Sequence, residues 1–254
     1  MVLKQIAGLY GAGKLQQAHQ LCLQVLKQRP KLADAHSMMG VILSGLGRND
    51  EARKAIKNAI RFNPTSHYYS NLGELERQNG KLDSAKIALE KAVELDPANA
   101  QALNNLGIVH FDKGEFDKAV TTYQSCLELQ PDYPEAHNNL GNAYRASNNN
   151  DDAMVHYERA VELRENYPEA YNNMGSSLRA EERYEEAEFC YRKAINLNPR
   201  YADAANNLAI LLISRDQYDE ALRVLDDAMK SGNRTVGLYL SIGRVQLHKS
   251  NYDM

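Results

Sequence analysis

Several things are scarce in this chain, and each scarcity closes off a class of protein. Its 254 residues include no tryptophan, four phenylalanines and three cysteines. No apolar run approaches the ~20 residues that a helical bilayer span requires, so membrane insertion is not expected. Positive charge is not in excess: 30 Lys and Arg face 33 Asp and Glu, for a net charge of −3. Nucleic-acid binders draw much of their affinity from Lys and Arg set against phosphate, which places this chain outside that class. Cys22, Cys126 and Cys190 are odd in number and far apart. They exclude a disulfide framework and read as buried free thiols in a reducing compartment, taken here as cytoplasmic.

The apolar stretch between Met1 and Tyr10 is too short for a secretory leader and reads as helix. Without a leader, the glycosylation-like Asn233-Arg234-Thr235 carries no weight. Seven histidines are scattered with no short-spaced His/Cys/Asp group, so no metal site is expected. No glycine loop is placed to cradle a phosphate, and no cofactor is implied. Glu181-Glu182 and Glu185-Glu186 read as solvated helix surface. Catalysis is not expected from this chain.

What is present is a beat. Gly40, Gly73, Gly107, Gly141, Gly175 and Ala209 follow one another at 33, 34, 34, 34 and 34 residues. Ala52, Ala85, Ala119, Ala153, Ala187 and Ala221 keep a second beat beside it. Two tracks in step mean one unit copied along the chain, each copy packing on its neighbours.

Residues 100–133 show the unit. Leu103, Leu106, Gly107 and His110 form the apolar stripe of a first helix. Gly114 ends that helix, and Phe116, Ala119, Val120, Tyr123, Cys126 and Leu127 form the stripe of a second. Pro131 closes it, since proline cannot continue a helix. Small residues at Gly107 and Ala119 let the two helices approach. Tyr123, Tyr157 and Tyr191 fill one aromatic slot, and Pro30, Pro64, Pro97, Pro131 and Pro199 close their units. Glu165 stands where another proline would, predicting a looser junction, while Pro134 and Pro168 open helices.

The motif Leu103-x2-Leu106-Gly107-x2-His110, then Ala119-x3-Tyr123 and Pro131, resembles the tetratricopeptide repeat. So does Tyr171-x2-Met174-Gly175-x2-Leu178, then Ala187-x3-Tyr191 and Pro199. The family's usual leading Trp is absent, its slot taken by residues such as His36, Tyr69, Leu103 and His137. The resemblance implies an all-α, right-handed α-solenoid of helix-turn-helix units, first helices lining a concave groove. Expected bounds are a partial unit at 1–32, full units near 33–65, 66–99, 100–133, 134–167, 168–201 and 202–235, and a partial unit at 236–254. Incomplete end units, with Val236, Leu238, Tyr239, Ile242 and Val245 apolar where a cap should be polar, read as a segment of a longer protein or as ends buried by self-association.

Asn71, Asn105, Asn139, Asn173 and Asn207 recur at 34 residues, and Asn104, Asn138, Asn172 and Asn206 precede four of them. Asn105 falls far around the helix from the packing stripe, on the side that a two-layer solenoid turns to its inner wall. Asparagine is a mediocre helix former, costing up to ~0.7 kcal/mol against alanine, so nine of them need a reason. Each amide offers a donor and an acceptor, which fits clamping of a peptide backbone. Equally, the amides can bond one another and hold repeats in register. A further row sets Arg77, Arg145 and Arg179 in one slot with Phe111 in the unit between. These arginines suit acidic side chains or simply cover apolar wall. Asp34, Glu135, Glu169 and Asp203 rim the same face near the helix starts.

The expected function is a protein-interaction scaffold holding an extended partner segment in an Asn-lined groove. Asn105-Leu106-Gly107 and Asn139-Leu140-Gly141 are similar to the repeat arms of O-linked N-acetylglucosamine transferases, whose asparagine ladder holds a substrate chain. That likeness implies an alternative, the substrate arm of a glycosyl- or sulfotransferase whose catalytic domain is absent. Self-assembly through repeat ends is another. The chaperone-tail clamp of some relatives, which needs Lys or Arg where this chain has Asn or Ser, is not expected.

Overall fold

The computed structural model describes residues 2–232 and 235–252, with side chains through residue 247. Asn233 and Arg234 of the acceptor-like motif, Met1, Met254 and the Tyr252 side chain lie outside the described residues. Within them every regular element is an α-helix, and none is long and apolar enough to cross a membrane. The helices fall into two compact units, 1–131 and 132–254.

The first unit runs α1 (Val2–Gly11), α2 (Leu15–Gln28), α3 (Ala33–Gly45), α4 (Asn49–Phe62), α5 (Ser66–Gln78), α6 (Leu82–Leu95), α7 (Ala100–Asp112) and α8 (Phe116–Leu129). The second runs α9 (Pro134–Ala146), α10 (Asn150–Leu163), α11 (Pro168–Ala180), α12 (Tyr184–Leu197), α13 (Ala202–Ser214), α14 (Tyr218–Lys230) and α15 (Val236–Tyr252). In each unit, consecutive helices pack as hairpins and each hairpin packs on the next. Each unit is thus an α-solenoid.

The hairpin turn depends on one left-handed residue. Gly114 adopts φ 73°, and the Glu115 N–H donates back to His110 O at 2.9 Å, a six-to-one closure of the helix end. Gly13, Gly47 and Gly80 do the same in the first unit. In the second unit Asn148, Glu182 and Asp216 take that conformation at φ 59°, 61° and 58° without glycine's freedom. Pro134 and Pro168 open α9 and α11, where a missing N–H leaves nothing unsatisfied.

The core lies between the helices of each pair. The rings of Tyr123, Tyr157 and Tyr191 are fully buried against Gly107, Gly141 and Gly175 of their own hairpins. The stripe residues Leu103, Leu106 and His110 are buried as the periodicity predicts. The junction at Glu165 differs from expectation. The four residues between α10 and α11 match the four between α8 and α9. Arg164 holds the position: its guanidinium donates to Glu135 and stacks 4.9 Å over the Tyr167 ring. An ion pair and a cation–π contact stand in for the missing proline.

Candidate functional site

In the first unit, first helices α1, α3 and α5 enclose a hollow of about 270 Å³ lined by Tyr10, Met38, Val41, His67 and Asn71. A second, of about 260 Å³, shares Tyr10, Val41 and Asn71 and adds Glu74. This wall is mainly apolar. In the second unit, α9, α11, α13 and α15 enclose about 470 Å³ lined by Arg145, Asn173, Asp203, Asn207, Ser241 and Arg244 among others. This wall is polar, and the inner faces of both units are built from first helices.

The paired asparagines divide by depth. Asn104, Asn138 and Asn172 are only 5–6% exposed, and Ser37 and Ser70 in the same slot 3% and 4%. Their followers are half-buried and reach back one repeat. Asn71 Nδ2 donates to Ser37 Oγ at 3.0 Å, and Asn105 Nδ2 to Ser70 Oγ at 3.3 Å. Asn173 Nδ2 donates to Asn138 Oδ1 and Asn207 Nδ2 to Asn172 Oδ1, both at 2.9 Å. The inner member of each such pair is therefore a register contact. The outer member commits one N–H to that contact; Asn71 gives its other to His67 Nε2 at 3.3 Å, while Asn105, Asn173 and Asn207 keep an Oδ1 and a second N–H available. Asn139 has the same half-buried setting and is also partnered.

The ladder ends at α15. Asn206 belongs to the inner series, and the donor thirty-five residues on is Ser241, whose short side chain makes no bond to it. Asn206 Oδ1 is buried and unpartnered among the described residues.

The arginine slot is uneven. Arg77 Nε and Nη2 donate to Glu74 at 2.9 Å and Nη1 to Asp112 at 3.2 Å. The Glu74 bonds, then the charges of both carboxylates, push its pKa up despite burial. Arg145 and Arg179 are exposed and make no ion pair among the described residues, nor does Arg244. Arg145 lies beside the Tyr157 hydroxyl, which burial nonetheless pushes to a raised pKa. Phe111 is half-buried against Phe116, ring centroids 5.4 Å apart. Of the acid rim, Asp34 accepts from Tyr68 Oη and Glu135 from Arg164, while Asp203 lies open on the wall. Burial, then Asp203 and Glu169, push Tyr201 up to about 12.

Tyr10, Met38, Val41 and Arg244 were missed by the sequence reading. Counting the same slots back through the first full unit and into the incomplete end units would have placed all four on the inner wall. Among the described residues no group of three His, Cys, Asp or Glu could hold a metal ion. Burial pushes all three thiols up to about 11, and Cys22 and Cys126 Sγ donate to the Ala35 and Ala100 carbonyls. They are not placed as nucleophiles.

Profiles described as "tetratricopeptide repeat" match residues 9–74, 99–166, 168–201 and 190–223, and one described as "TPR repeat" matches 73–114. The chain belongs to the tetratricopeptide-repeat family. No curated protein matches its sequence. Among solved structures, this tetratricopeptide-repeat chain is similar to one from the APC/C hetero-tetramer Cut9–Hcn1, with 18% identity and a TM-score of 0.80. The match covers 94% of this chain and 48% of that one, so this chain spans about half its length. It is also similar to PilF of Pseudomonas aeruginosa, at 19% identity and a TM-score of 0.71 over 87% and 99% of the two chains. A tetratricopeptide repeat protein from Parabacteroides merdae is 22% identical, with a TM-score of 0.69 over 86% and 87%. At such identities these likenesses concern the fold.

Proposed function

We propose that this tetratricopeptide-repeat chain is a non-catalytic scaffold that holds an extended segment of a partner protein along its first-helix walls. The half-committed amides of Asn105, Asn173 and Asn207 carry the reading. Each retains an acceptor and a donor, and a peptide backbone presents one of each at every residue. Repeat-to-repeat bonds hold the amides in place beforehand, which lowers the ordering cost of binding. Membership of a hetero-tetramer by a chain of similar fold, in Cut9–Hcn1, supports a protein partner. Three buried thiols fit a cytoplasmic setting. The finer alternative, an arm presenting substrate to a glycosyl- or sulfotransferase domain, rests on the Asn-Leu-Gly recurrence alone.

The test uses the chain on an array of random fifteen-residue peptides, then repeats it with Asn105→Ala and Asn139→Ala combined. Peptides retained by the parent should be lost by the variant while its melting temperature falls by a few degrees at most. Retained peptide binding together with a large drop in melting temperature would reduce the amides to register contacts.

A further inference from the structure

We propose that the wall of the second unit selects an acidic segment, with glutamate or aspartate side chains received by Arg145 and Arg244. This rests on the groove reading above and adds to it the chemistry of the guest. The asymmetry between equivalent arginines points to it. In the first unit, Arg77 is neutralised by Glu74 and Asp112. In the second, Arg145 occupies the same slot with no carboxylate partner among the described residues. Arg244, on α15, lines the same hollow and is likewise unpaired.

Asn173 and Asn207 lie on the same wall with acceptor and donor to spare. Two open guanidiniums can take a carboxylate in paired hydrogen bonds, while the amides take the backbone between them. Asp203 is the opposing charge, near the start of α13, whereas Arg145 stands in the last turn of α9. A guest therefore meets Asp203 at the helix-start rim, Arg244 at mid-helix and Arg145 at the helix-end rim. Its acidic side chains belong between mid-helix and the helix-end rim, and Asp203 repels any placed at the helix-start rim. Leu240 and Ile210 supply the apolar floor.

Fluorescein-labelled twelve-residue peptides of alternating Glu and Ala, and of alternating Gln and Ala, would be titrated with the whole chain at low and high salt. The glutamate peptide should bind at least about tenfold tighter at low salt, an advantage that shrinks as salt rises. Arg145→Gln and Arg244→Gln should each weaken it about three- to tenfold, leaving the glutamine peptide unaffected, and Arg77→Gln should change neither. Equal affinity for both peptides, with sensitivity to Asn173→Ala, overturns the acidic preference while the groove reading stands. Binding of neither peptide overturns both. Tighter binding of a single-stranded oligouridylate than of the glutamate peptide would assign the arginines to phosphate and also overturn the proposal.

Discussion

Gly107 and Tyr123 are packed so closely that a Cβ built on Gly107 would lie 2.5 Å from Tyr123 Cε1. The pair recurs as Gly141 with Tyr157 and Gly175 with Tyr191, at 2.6 and 2.7 Å. Each ring is fully buried, so it has nowhere to retreat. Ile56 and Leu89 fill the same slot opposite Gly40 and Gly73, so the glycine beat is the footprint of a large buried side chain sixteen residues on. Where Ala209 replaces glycine, the corresponding residue is Leu225.

Gly107→Ala should destabilise the protein. Overpacking costs about 1–3 kcal/mol, against a gain of about 1 kcal/mol from helix propensity, so a net loss of roughly 1 kcal/mol is expected. The loss should shrink in a Tyr123→Ala background, because removing the ring clears the space that the new Cβ would enter. A double-mutant cycle by urea unfolding measures this coupling. Additive effects would show that the contact is not what fixes glycine there.

Glu182→Gly should stabilise the second unit. Glu182 holds φ 61° in a turn that the first unit closes with glycine, and left-handed backbone costs a side-chain-bearing residue about 1–2 kcal/mol. Glycine's extra freedom in the unfolded chain takes back part of that gain. A rise of up to about 1 kcal/mol by denaturant titration is expected, and no rise would mean that the turn is unstrained.

Ser241→Asn should extend the amide ladder by one rung. Asn206 Oδ1 is buried without a donor, and the equivalent donors one and two repeats earlier are Asn207 and Asn173. Supplying an amide N–H should add about 1 kcal/mol and slow hydrogen exchange in α15. Unchanged exchange would mean that the new side chain points elsewhere.

Stability should fall as pH drops below the ordinary histidine value near 6.5. Burial first, then the charge of His137, lower the pKa of His156, while Asp152 works weakly the other way. The two Nδ1 atoms are 3.0 Å apart, and Tyr144 stacks on His156 at 5.6 Å. A depressed folded-state pKa means that the unfolded chain takes up the proton first. The neutral form's contribution is thus complete above 6.5 and lost as pH falls through the folded value. Melting temperature against pH should be flatter for His156→Gln; identical profiles would place the acid sensitivity elsewhere.

Much of this architecture was legible in one dimension because its contacts are local. A hairpin closes within thirty-four residues, so Leu103, Gly107, Ala119 and Tyr123 announce helix, turn and packing face by spacing alone. Depth and partnership were not legible. Asn104 and Asn105 are adjacent on the same far arc, yet one is sealed between repeats and the other reaches the wall, because only packing of successive hairpins fixes which side is covered. Arg77 and Arg145 share a slot and a residue type. Glu74, one turn back on α5, and Asp112, a repeat further on, neutralise the first, while the corresponding positions beside Arg145 hold Asn142 and Ala180; only the stacking of hairpins brings Asp112 within reach.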